Sequence, residues 1–206
     1  MLWHRNCVAF ARAAHRFTIG GVSRILATAV LLLCACGSDA PSTAAAIHVP
    51  FRVLGRSADG DGTLRDRVAA TDLPDDAWRA FVADARAALG GDPADIAVTA
   101  AAIALAPSSE GVARLAEVFD GPVTVRCELT ASGRAYPLAE GLIYERTEPE
   151  PVALAPRFAL ADVEPDDVGP LLVGEFDVVF VGQGGGAFRG SDARADLSVT
   201  LEIAAR

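Results

Sequence analysis

Hydrophobic and polar positions alternate most cleanly in two stretches of the chain. In "VTVRCELT", Val123, Val125, Cys127 and Leu129 fall on one face and Thr124, Arg126, Glu128 and Thr130 on the other, which is the period-two pattern of a half-buried strand. "ADLSVTLEIAA" repeats it with Leu197, Val199, Leu201 and Ile203 inward. Weaker strands are predicted over 48–55, 64–70, 96–105, 142–145, 152–160 and 175–181. Strands with one wet face pair antiparallel.

The period lengthens in "LPDDAWRAFVADARAALGG". Trp78, Phe81, Val82, Ala85 and Leu89 form one stripe of a helix that must cover a sheet or core face. Pro74 suits a first turn, Asp75 and Asp76 suit the positive helix N-terminus, and Gly90-Gly91 supply a stop. A shorter helix is predicted over 109–119, with Ser108 as cap and Val112, Leu115, Ala116 and Phe119 inward. Asp166 and Asp167, after Pro165, read as an exposed turn or a one-turn helix. Short strands, turn residues between them and two helices predict an α+β fold: mainly antiparallel β, sandwich-like, with one long amphipathic helix and one short helix.

The N-terminal stretch before residue 47 is different. Ile25 to Cys36 is an apolar run of 12 residues, about 18 Å as a helix and so short of the roughly 30 Å hydrocarbon core. Arg5, Arg12, Arg16 and Arg24 precede it, and no acidic residue comes before Asp39. A basic stretch followed by a short apolar one is an export signal. Leu33-Cys34-Ala35-Cys36 resembles the lipobox of bacterial lipoprotein precursors, in which an aliphatic residue and two small or tolerated ones precede the cysteine that is acylated. The alternative frame ending at Cys34 puts Leu33 where that family has a small residue. The resemblance implies a signal peptide over 1–35, lipidation of Cys36, and anchorage by acyl chains. It also implies forwarding to the outer membrane, facing periplasm or cell surface, because Gly37 stands where an inner-membrane retention signal has Asp. A leader of 35 residues exceeds the usual roughly 15 to 30, which suggests a translation start near Val22. "GSDAPSTAAA" after the cysteine lacks large apolar side chains and reads as a tether, so the expected organisation is lipidated N-terminus and tether over 36–46 and one globular domain over 47–206.

Charge narrows the partners. Without the four leader arginines the chain has 14 positive and 27 negative groups. So acidic a surface argues against nucleic acid and against direct binding to anionic lipid, leaving the membrane contact to the acyl chains and an envelope protein or glycan as partner. The chain contains no lysine, which removes Schiff-base chemistry and the Lys of a phosphate loop. Of the four cysteines, Cys7 and Cys34 leave with the signal and Cys36 is the anchor, so Cys127 stands alone and no disulfide is implied; were Cys34 the anchor, Cys36 and Cys127 could pair.

Motifs with chemical potential are few. In "SADGDGTL", Asp59, Asp61 and Gly62 follow the order of a calcium loop, but an EF-hand alignment puts Ser57 at the first ligand and Val68 at the last; a polar turn is the simpler reading, with weak metal ligation by Asp59 and Asp61 as the alternative. "VGQGGGAF" has dinucleotide-loop spacing at Gly182, Gly184 and Ala187, yet "FRGSDARADLSVTLEIAA" follows in place of a helix, so a loop or hairpin is expected and no cofactor. His48 is the sole histidine after the leader and has no catalytic motif beside it; Cys127 faces inward as a small core residue. The sequence therefore predicts a lipid-anchored envelope protein with a non-catalytic binding or structural domain. The alternatives are a hydrolase using paired carboxylates across a cleft and a calcium-linked binding module.

Overall fold

The computed structural model describes residues 42–145 and 150–206. Eight strands form one antiparallel sheet: β1 (Thr43–Leu54), β2 (Thr63–Ala69), β3 (Ile96–Leu105), β4 (Phe119–Leu129), β5 (Ala135–Ile143), β6 (Val152–Pro156), β7 (Phe176–Gly184) and β8 (Arg194–Ala205). Their order is β1-β8-β3-β6-β5-β4-β7-β2. The sheet coils into a nearly closed barrel in which the two edge strands, β1 and β2, lie beside one another.

This corrects the sandwich-like expectation. Inward-outward alternation is the same in a sandwich and a barrel, so the pattern cannot separate them. The difference is made by β6, which pairs with β3 through Ala101↔Leu154 to Ile103↔Val152 and with β5 through Ala139↔Pro156 and Glu140↔Ala155. One five-residue strand thereby joins two half-sheets into one. Bulges at Val98/Ala100 and Val125/Arg126 add the curvature.

The seam between β1 and β2 is closed by side chains. Pro50 has no N–H to offer there, and the Arg52 N–H donates to the Asp66 carboxylate on β2. Blunting an edge in this way discourages pairing with another chain.

The core is the barrel interior. Ile47, Val49, Phe51 and Val53 of β1 face Leu197, Val199, Leu201 and Ile203 of β8, and Val123, Val125 and Cys127 of β4 face Val178 and Phe180 of β7. β1 starts at Thr43, paired with Ala205, so four residues with a tether-like composition belong to the sheet.

Three α-helices lie in the connections among the described residues: α1 (Ala77–Leu89), α2 (Leu115–Val118) and α3 (Pro165–Val173). The short helix expected over 109–119 shrinks to the single turn of α2, because Phe119 already begins β4. The turn expected at Asp166 and Asp167 is instead the start of nine-residue α3. No helix among the described residues is long and apolar enough to cross a membrane.

The connections sort to the two ends of the barrel. α1 carries the chain from the end of β2 to the start of β3, and α3 from β6 to β7. Both therefore lie at the end where Thr43 and Ala205 pair. The opposite end is closed by loops that include α2 and the Gly-rich segment between β7 and β8.

Candidate functional site

Cys36 lies outside the described residues. Asp59 and Asp61 lie in the turn that leads into β2, where the Asp59 N–H donates to the Thr63 carbonyl at 2.9 Å and the Gly62 N–H to the Asp59 carbonyl at 2.8 Å. The Asp61 carboxylate accepts the Thr63 N–H at 2.9 Å, and that bond holds its pKa below the usual value. These are the bonds of an Asx-stabilised turn. No group of three or more His, Cys, Asp or Glu among the described residues could hold a metal ion.

The other residues read from the sequence are scattered. His48 faces outward on β1, its Nδ1 at 3.0 Å from Thr200 Oγ1. Cys127 faces inward, and burial pushes its thiol up to about 12, so it remains protonated and unreactive at neutral pH. Gly182, Gly184 and Ala187 are followed by a loop and β8, with no helix between.

The carboxylates that are buried have structural partners. Asp167, in the first turn of α3, accepts hydrogen bonds from Tyr136 Oη at 2.7 Å and Arg134 Nη1 at 3.0 Å. The Tyr136 bond foremost, with Arg134 and Ser132, holds the Asp167 carboxyl below the usual range despite its burial. Tyr136 Oη in turn accepts the Glu164 N–H at 3.2 Å, so the group pins α3 to β5.

A cleft of about 340 Å³ over the seam brings Asp66 and Asp196 to one place, with Arg52 between them. Arg52 Nε donates to Asp196 Oδ1 at 2.6 Å, and Arg194 Nε lies 3.4 Å from Oδ2. Burial raises the Asp196 pKa, but Arg52, Ser108 and the charge of Arg194 overcome it and the net shift is downward. A general acid for glycoside hydrolysis needs the opposite shift. The pair acts as a clamp on β1 and β8.

Glu150 is a third brace. Its carboxylate accepts the Leu105 N–H at 2.9 Å and the Leu115 N–H at 2.6 Å, which ties the end of β3 to α2. None of these three was readable from local sequence, since each carboxylate depends on at least one partner 31 or more residues away.

The remaining feature is the apolar interior under α1. Trp78, Phe81, Val82 and Ala85 point into the mouth of the barrel. Trp78 Nε1 donates to the Leu171 carbonyl at 2.8 Å, and its ring meets Phe176 edge-on with centroids 5.1 Å apart. Beneath lies a void of about 20 Å³ whose walls, including Ile47, Val98, Leu138, Phe158 and Ile203, are wholly apolar. The helix is entered through Asp75 (φ 57°) and Asp76 (φ 51°), both left-handed, and left through Gly90 (φ 76°). The sequence located the inward stripe of this helix. It placed the two aspartates in the first helical turn, where the structure has a kink.

No family model and no curated protein matches this sequence.

Proposed function

We propose that the chain is a bacterial envelope lipoprotein, fastened to the outer membrane by acyl chains on Cys36, whose domain binds a ligand or partner without catalysing a reaction. The observation that carries the non-catalytic part is the state of the two buried carboxylates among the described residues, Asp167 and Asp196. Both are ion-paired, and both have lowered pKa values. The protonated buried Cys127 supports the same reading.

The anchor rests on the leader and on "LCAC". Thr43, where β1 starts, is seven residues after Cys36, so the acyl chains would be attached to the barrel at the end that α1 and α3 close.

Mass spectrometry of the processed N-terminus from fractionated cells tests the proposal. The expected result is a mature chain beginning at Cys36 with added acyl mass, found with the outer membrane, and loss of both in Cys36→Ser. A Cys36→Ser protein that still carries the acyl mass and fractionates with the membrane would contradict it.

A further inference from the structure

We propose that the outer face of β3, with β6 and β8 on either side of it, receives a second copy of this chain, the two barrels standing side by side and pointing the same way. The contact goes beyond the binding role proposed above. Its common direction rests on the anchor at Cys36, and the contact itself does not.

The outside of the barrel has two unlike halves. On β2, β4 and β7 the outward positions are charged, with Arg65, Arg67 and Arg126 converging on Glu128 and Asp177. On β3, β6 and β8 the register sets alanine, serine and threonine outward, and beyond the Arg194 and Asp196 cluster the sole charge on these three strands is Glu202. One row across this half reads His48, Thr200, Ala102, Ala153 and, extending the β5 register, Leu142.

That gradient of size fits another barrel. Two convex barrels touch along a line and diverge on both sides of it, so close approach needs small side chains on the line and larger ones on the flanks. Ala100, Ala102 and Ala104 hold the line on β3. On one flank Leu142 and Tyr144 are 63% and 51% exposed, and on the other His48 and Pro50 are exposed. A twofold axis along β3 lays the Leu142 flank of each copy over the His48 flank of the other, so one patch supplies both halves of the fit.

Charge follows the same axis. It brings β8 of one copy over β6 of the other, where Glu202 meets Ala155 and, two residues on, the half-exposed Arg157. The other charges near this face are ion pairs at its border, Arg52 and Arg194 with Asp196 at one end and Arg206 with Asp95 at the other. A neutral centre inside a paired polar rim is how association surfaces are built, and in so acidic a chain it is where like copies can approach. The five strands from β1 to β5 and the eight residues from Ala97 to Ala104 span roughly 600 Å² per copy, or about 1,200 Å² in all, the lower limit of a standard interface. An axis along β3 also sends Thr43 of both copies to the same end, as two chains fastened to one membrane require, and that fastening raises the local concentration at which a modest interface must fill.

Single cysteines in the full chain test the contact. Cells producing each variant are treated with a bismaleimide that reaches about 10 Å, the spacing of packed sheets. Ala100→Cys, Ala102→Cys and Ala104→Cys lie along the axis, and each should give a linked dimer that the parent lacks, whereas Arg65→Cys on the charged half should give none. Added to Ala102→Cys, Leu142→Glu should lower the linked fraction roughly tenfold, and Val173→Glu, exposed away from the face, should leave it unchanged. Leu142 and Val173 are both exposed, so each variant keeps its fold. Equal linking from Arg65→Cys, which marks random collision, overturns the proposal. So does a heavier adduct, which assigns the face to a different protein, linking at only one of the three β3 positions, which reverses the second copy, or no linking at all. Acylation of Cys36 is read separately by mass, and none of these outcomes alters it.

Discussion

The two ends of this barrel are both sealed with aromatic rings, but the seals are mounted differently. At the loop end, Phe51, Phe119 and Phe180 come from β1, β4 and β7 themselves, with ring centroids 5.6 Å apart for Phe51 and Phe180 and 5.3 Å for Phe119 and Phe180. Gly182 makes that seal possible, since a Cβ there would stand 2.7 Å from the Phe119 ring. At the helix end, Trp78 and Phe81 arrive on α1, an element outside the sheet that joins it through a strained entry and a glycine exit. The same apolar chemistry is thus woven into the ladders at one end and hung across the opening at the other. The lesson is that burial alone does not set permanence: a ring on a paired strand leaves only when the sheet does, and a ring on a hinged helix can leave alone.

Substitutions at the two seals should separate them most widely. Phe180→Ala empties a fully buried site within the ladders and should lower the unfolding free energy by about 3–5 kcal/mol, read from the denaturant midpoint at unchanged slope. Trp78→Ala should shift that midpoint less and instead expose α1 to proteolysis, because the helix detaches before the sheet unfolds. Equal midpoint shifts with α1 still resistant would erase the distinction.

The pinning of α3 gives a smaller effect. Tyr136→Phe removes the hydroxyl that donates to Asp167 and accepts from the Glu164 N–H, and should cost about 1–2 kcal/mol. Because α3 carries Leu171, the acceptor for Trp78, the same change should loosen the helix end and spare the loop end.

Acid should act through Asp167 and Asp196. Both pKa values are lowered in the fold, so the unfolded chain takes up these protons first as pH falls. Their stabilisation is complete above the unfolded aspartate value of about 3.9 and is lost as pH drops through the lower folded values. Melting temperature should fall steeply below about pH 4, and Asp167→Asn with Asp196→Asn should flatten that limb. The smallest effect is expected at the turn of Asp59 and Asp61, where calcium should leave the melting temperature unchanged in the parent and in Asp61→Ala alike.

How far the fold could be read depended on how far each element obeyed one period. β8 and the part of β4 from Val123 to Leu129 are free of proline and alternate apolar with polar residues, and the inward residues Val123, Val125, Cys127, Leu129, Leu197, Val199, Leu201 and Ile203 stand where the pattern puts them. β5 hid its beginning, because Pro137 and a register shift interrupt its alternation and Leu142, 63% exposed, points a large apolar side chain outward. α3 showed only its start, as a turn or a single helical turn at Asp166 and Asp167, because Gly169 and Pro170 are poor helix formers, yet both lie inside a nine-residue helix. In the candidate site, the stripe Trp78, Phe81, Val82 and Ala85 was legible because helical period marks a buried face. The hinge was not: "PDD" before a helix reads as proline and acid in a first turn, and left-handed backbone at Asp75 and Asp76 leaves no local signal. Asp196 was invisible for another reason, being an outward residue of an alternating strand that becomes buried only when Arg52 and Arg194 close over it.

Hydrogen exchange on the full chain measures the difference between the two ends directly. A helix mounted outside the ladders predicts that the amides of Ala77–Leu89 exchange through an opening that leaves β8 protected. Exchange of α1 and β8 at a common rate, set by global unfolding, would contradict it.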